Sequence, residues 1–144
     1  MVVVGVDHSD GAKAALRFAL EEALLRQATV RAVHAWQYAY MGPPGIERAL
    51  SYGGADAEAL RSAAEAALDA TLQEVGSDSG VEIERRVVQG APAAVLVDES
   101  RGADLLVVGS RGLGGFAQLL LGSVSQQCAH HAECPVVIVR STGN

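Results

Sequence analysis

Met1 to Val6 is an unbroken apolar run rich in β-branched residues, the pattern of a strand covered on both faces. It stops at Asp7-His8-Ser9-Asp10-Gly11, a cluster of turn and capping residues. The apolar period then changes. Ala12, Ala15, Leu16, Ala19, Leu20, Ala23 and Leu24 recur at i, i+3 and i+4 spacing, which predicts a helix with one buried stripe, and Ser9 or Asp10 is placed to cap it. Thr29 to Trp36 predicts a second strand. Helical spacing returns from Asp56 to Val75 through Leu60, Ala64, Ala67, Leu68, Leu72 and Val75, and Ser77-Asp78-Ser79-Gly80 ends it. Val81 to Val88 predicts a third strand, and Pro92 suits the first turn of a short helix over Ala93 to Arg101. Ala103 to Val108 predicts a fourth, doubly apolar strand, Ser123 to His131 a last helix, and Pro135 to Val139 a fifth strand. No internal repeat is present.

Helices alternating with apolar strands mean parallel pairing through right-handed crossovers. The expected fold class is α/β, a single Rossmann-like open parallel sheet of five strands with helices on both faces. In such sheets a ligand binds outside the carboxyl ends of the strands, where the strand order reverses. Asp7, Trp36 and Gly109 all fall at strand carboxyl ends.

Composition narrows the picture. The 144 residues, 49% of them hydrophobic, suit one domain over 1–144 with its own core. With 11 basic against 17 acidic residues the net charge is −6, and the arginines form no run, which argues against nucleic acid as a partner. No apolar run approaches the ~20 residues of a membrane helix. Two cysteines, Cys128 and Cys134, are too few for a disulfide framework, so a cytoplasmic protein is expected. Their spacing matches no common zinc pattern, and both read as buried thiols. His34, inside a strand, reads as a packed core histidine, and His130 and His131 point in different directions on a helix. Glu82, Glu84, Arg85 and Arg86 read as a solvated strand edge. Gln37 to Ala55, with Pro43-Pro44 and four glycines, is long for a loop and reads as a variable lid.

The chemistry concentrates in Gly109-Ser110-Arg111-Gly112-Leu113-Gly114-Gly115-Phe116, which leads into Gly122-Ser123-Val124-Ser125. Glycines between a buried strand and a helix let backbone amides approach an anion. The helix that opens at Gly122-Ser123 adds its first amides and the positive end of its dipole. This is a phosphate cradle in outline. A P-loop would need Gly-Lys followed by Ser or Thr, and no lysine is near. Gly112-x-Gly114-x-x-Ala117 matches a dinucleotide fingerprint loosely, but no acidic residue ends the next strand.

The spacing Gly109-x2-Gly112-x9-Gly122-Ser123 resembles the ATP-binding signature of the universal stress protein family. Val3-Val4-Gly5-Val6-Asp7-x-Ser9, Ala103 to Gly109, and Ser123-Val124-Ser125 through Cys134-Pro135-Val136 resemble its first strand, fourth strand and closing helix and strand. His8 departs from it, standing where small residues are common, and so does Glu133, where proline is frequent. The resemblance implies strand order 3-2-1-4-5, bound ATP with Mg²⁺ held mainly by the phosphates, and a homodimer paired through the last strand. It implies that Val6 and Asp7 meet the nucleoside, that the backbone at Ala35 meets adenine, and that Val108 and Gly109 line the ribose. Arg111 and Gly112 would flank the phosphates, and Gly122, Ser123, Val124 and Ser125 would hold them. The last strand, Val136 to Val139, leaves an apolar edge that a second copy would cover.

The function implied is a nucleotide-responsive regulatory module in stress response, with a downstream partner the sequence does not name. The alternatives are a slow ATPase or nucleotidyl-transferring enzyme on the same scaffold and a nucleotide-free structural dimer. The loop carries no Asp or Glu to orient water or metal, which favours binding over turnover.

Overall fold

The computed structural model describes residues 1–37, 54–111 and 121–141. Its elements are β1 (Val2–Gly5), α1 (Asp10–Arg26), β2 (Val30–Trp36), α2 (Gly54–Gly76), β3 (Ile83–Gln89), α3 (Pro92–Glu99), β4 (Leu105–Gly109), α4 (Ser123–His131) and β5 (Val136–Val139). The five strands form one parallel sheet in the order β3-β2-β1-β4-β5. The lid expected over 37–55 lies almost wholly outside the described residues.

Strand alternation splits the apolar runs between two layers. Val2, Val4 and Val6, with Val30, Ala32, Leu105 and Val107, face α1 and α2 and pack on Leu16, Leu20, Ala23 and Leu68. Val3, Val33, Leu106 and Val108 face α3 and α4 and pack on Val95, Leu96 and Cys128. β1 is therefore covered twice, and Val2, Val3 and Val4 have no exposed surface. Each such side chain contributes about 1.5–3 kcal/mol of burial. Leu24 breaks the expected stripe of α1, being 61% exposed. Ala23, in the last turn, still has no exposed surface, so Leu24 stands at the rim of the buried stripe.

The two edges of the sheet differ. At β3, Arg85 pairs with Asp69 of α2, and Arg86 with Glu99 of α3 at 2.9 Å. Arg31 of β2 reaches both Glu84 at 3.1 Å and Glu99 at 3.5 Å. The charges expected as a solvated edge are exposed, and Arg85 and Arg86 are in addition paired to the two helical layers, the Glu99 pairing drawing the Arg86 guanidinium pKa upward. At β5, Val136 to Val139 are all half-buried valine and isoleucine.

Candidate functional site

The order β3-β2-β1-β4-β5 places the reversal between β1 and β4, since chain connections run to one side from β1 and then return past it. Here the turn after β1 and the loop after β4 meet.

The first turn is held by a relay of hydrogen bonds. The Asp7 Oδ1 accepts from the Ser9 backbone N–H at 3.1 Å and from the Ser9 hydroxyl. The Ser9 Oγ in turn accepts from the Ala12 N–H at 3.1 Å, capping α1. Ser9 is therefore the cap, and Asp7 is the group that orients it. His8 between them takes φ 54°, a left-handed conformation that costs a non-glycine residue about 1–2 kcal/mol.

His34 lies at the carboxyl end of β2 and is half-buried, so it is not the packed core residue that its place in the strand led one to expect. Its Nδ1 stands 2.7 Å from the Val6 carbonyl. A carbonyl only accepts, so Nδ1 carries the proton and a neutral ring keeps Nε2 as an acceptor. The His8 and His34 rings stack 6.3 Å apart at 27°.

The loop after β4 is fixed through Ser110. Its N–H donates to the Val139 carbonyl at 2.8 Å, and its carbonyl accepts from the Gly122 N–H at 2.6 Å and the Ser125 hydroxyl at 3.1 Å. One residue thus ties β4 to β5 and to the start of α4. The Ser125 hydroxyl, 2% exposed, also reaches the Gly122 carbonyl at 2.9 Å. Gly122 is the N-cap of α4 and supplies no side-chain cap. The first amides of α4, at Ser123, Val124 and Ser125, have no intrahelical acceptor, and the positive end of the helix dipole lies with them. Protonated histidine at His130 or His131 would suit the opposite end, in the last turn.

Glycines close the gap between α1 and β4. A β-carbon on Gly109 would lie 2.8 Å from the Gly11 carbonyl carbon, and one on Gly11 would lie 2.5 Å from the Arg111 oxygen. Gly109 therefore serves helix-to-strand packing, whatever else it meets.

Of the residues expected at the site, Asp7, Gly109, Gly122 and Ser123 are brought to the carboxyl edge around the reversal. Val6 and Val108 are 3% exposed, and Val124 packs against the second core layer, so all three offer backbone rather than side chain. Ala35 is half-buried on that same layer. Arg111 is exposed. Gly112 lies outside the described residues. The sequence reading missed Gly11, Ser110 and the His8–His34 pair. A glycine in a helical first turn, where alanine is favoured, was the signal for Gly11.

Away from this edge, Cys128 is fully buried and its thiol is pushed up to about 11 by burial, with a smaller contribution from Cys134. Cys134 is partly exposed rather than buried. Among the described residues no helix is long and apolar enough to cross a membrane, and no three His, Cys, Asp or Glu side chains gather to hold a metal.

The sequence model of the universal stress protein family matches residues 1–140. Universal stress protein Rv2623 of Mycobacterium tuberculosis is 39% identical over 98% of this chain and 45% of its own length. Universal stress protein Rv2624c of the same organism is 32% identical over 97% of this chain and 48% of its own. The chain thus spans about half the length of these curated relatives. Among solved structures, universal stress protein UspA from Lactobacillus plantarum matches with TM-score 0.78 and 26% identity, over 96% of both chains. A universal stress protein in complex with cAMP matches with TM-score 0.61 and 31% identity, over 98% of this chain and 96% of that one. One from Archaeoglobus fulgidus in complex with dAMP matches with TM-score 0.58 and 26% identity, over 95% and 94%.

Proposed function

The chain belongs to the universal stress protein family, and from that premise we propose that it binds ATP at the β1/β4 reversal and acts as a nucleotide-responsive module. The observation that carries this reading is the start of α4. It opens on a glycine with no side-chain cap, tied to the carboxyl end of β4 by the Gly122 N–H bond to the Ser110 carbonyl. Uncapped amides at a helix N-terminus and a dipole of the right sign are what a phosphate chain needs. The donor set fits the ligand without a lysine.

In this reading the amides of Ser123, Val124 and Ser125 hold the phosphates. Gly122 leaves their path clear, and Arg111 flanks them with Gly112. Asp7 accepts from the nucleoside, most simply from ribose hydroxyls. The backbones of Val6, Ala35, Val108 and Gly109 line the nucleoside end. Ser125 contributes its amide, while its hydroxyl sets the angle between loop and helix. Mg²⁺ would supply charge neutralisation along the phosphate chain, held mainly by the phosphate oxygens. Two relatives of known structure hold adenine nucleotides, cAMP and dAMP, which supports an adenine site here.

We further infer that residues 1–144 act as one nucleotide-binding unit and that two copies pair through Val136 to Val139. The half-buried, apolar character of that edge supports the pairing. Free thiols at Cys128 and Cys134 fit a reducing cytoplasm.

The test is direct. Freshly purified protein is heat-denatured, any released nucleotide is identified by chromatography, and stripped protein is titrated with ATP and Mg²⁺ by calorimetry. Saturable binding of one ATP per chain is the expected result. No release and no binding would leave a structural dimer as the better account.

A further inference from the structure

Leu105 and Val107 of β4 face α1, and two residues further along the same face stands Gly109. A β-carbon there would meet Gly11 at 2.8 Å from its carbonyl carbon, 2.9 Å from its oxygen and 3.2 Å from its Cα. From the other side, a β-carbon on Gly11 would meet the Arg111 carbonyl oxygen at 2.5 Å. Distances below about 3.0 Å are not sustained by real β-carbons, and in both cases the obstacle is backbone, which cannot swing away as a side-chain tip can.

Conformation gives no reason for glycine at position 11. The left-handed glycines among the described residues are Gly80, Gly90 and Gly102. Gly11 lies inside a helix, where alanine would be favoured by about 1 kcal/mol. The close approach is the remaining reason. It brings the first turn of α1, which is continuous with the Asp7–Ser9 relay, against the stem of the loop after β4.

We propose that Gly11 is a positioning residue of the nucleotide site, fixing the separation between the Asp7 turn and the phosphate loop; this rests on the ATP reading above. A ligand that touches both sides gains from that fixed spacing as a bivalent ligand gains from a matched linker. ATP spans both. Adenosine rests on the Asp7 turn and the backbone at Val108 and Gly109 but lacks the phosphates that reach the loop and α4, so it loses fewer contacts than ATP when the spacing changes. Gly11→Ala forces the helix and the loop stem apart while improving intrinsic helix propensity.

The experiment is calorimetric titration of wild type and Gly11→Ala with ATP–Mg²⁺ and with adenosine, alongside circular dichroism. The expected result is a folded variant that loses more affinity for ATP than for adenosine, with the preference for ATP over adenosine falling at least about fivefold, in the sense of a lost second contact. An unchanged preference overturns the proposal. Wild type binding neither ligand overturns the ATP reading itself, a different failure. Should the variant not fold, hydrogen exchange on the unaltered protein decides: ATP slows exchange at Gly11 and Ala12 together with Ser110 and Arg111. Protection confined to one of these two segments overturns the coupling.

Discussion

Replacing Ser125 by alanine separates two roles for one hydroxyl. The side chain is 2% exposed and its single proton is shared between the Ser110 carbonyl at 3.1 Å and the Gly122 carbonyl at 2.9 Å. Neither acceptor is orphaned by the change. The Ser110 carbonyl keeps the Gly122 N–H at 2.6 Å, and the Gly122 carbonyl keeps the Gln126 N–H at 3.1 Å. The loss is then the net value of one hydrogen bond, about 0.5–1.5 kcal/mol, without the larger penalty of a buried unpaired group. For a chain of this size that corresponds to a fall in Tm of about 2–6 °C. Urea unfolding should show a lower midpoint at unchanged m value. ATP affinity should fall by less than about tenfold, because the hydroxyl acts on the loop and the amide that meets phosphate is retained. A hydroxyl donating straight to phosphate would behave otherwise, losing about 1.5–3 kcal/mol of affinity as a bond to a charged partner. Unaltered unfolding together with a loss of ATP affinity of that size would refute the reasoning.

Gly122→Val should fold normally, since φ −73° and ψ 165° are open to any residue, and should abolish ATP binding by placing a side chain in the phosphate path; unchanged affinity by calorimetry would put the phosphates elsewhere. Asp7→Ala should weaken adenosine by about 1.5–3 kcal/mol. Ser9→Ala, which spares the carboxylate, should cost about 1 kcal/mol of stability as a lost cap and leave adenosine within a few-fold; equal adenosine losses in the two variants would make the turn rather than the carboxylate the determinant. Burial favours the neutral thiol of Cys128, raising it from 9.0 to about 11, so the stability it contributes is complete below pH 9 and declines as pH rises towards 11. Chemical unfolding across that range should show the decline in wild type and its loss in Cys128→Ala. Leu68→Ala, at a side chain with no exposed surface, should cost about 2–5 kcal/mol in the same unfolding assay.

The central strands were the most legible part of the sequence. Val2 to Val4 and Leu105 to Val108 are apolar at every position because both faces are covered, and that continuity marks a parallel sheet without any alignment. The start of α1 at Asp10 agrees with Ser9, one of the two caps the sequence offered, whereas β3 starts at Ile83 rather than Val81. The cradle was legible as glycine spacing, and the uncapped start of α4 follows directly from Gly122. What was hidden is non-local. Gly11 and Gly109 are close only after α1 has folded back over β4, and nothing in either neighbourhood announces the other. His34 looked like a core residue because its neighbours Val33 and Ala35 are apolar, yet its own face runs out beyond the helices and meets the Val6 carbonyl and His8. Ser110 was read as part of a glycine-rich loop and Ser125 as a holder of phosphate, and their bonds to carbonyls make them in addition the joint between loop and helix.

The unlike edges of the sheet set a limit on number. β3 is sealed by arginine–carboxylate pairs to α2 and α3, and a strand arriving there would have to displace or desolvate them. β5 offers apolar side chains and an unpaired ladder. In the pairing proposed above, the combined ten-stranded sheet would carry β3, with its charged side chains, at both outer ends. Under that proposal association along the sheet would stop at two, because charged side chains on an edge strand disfavour the addition of another strand.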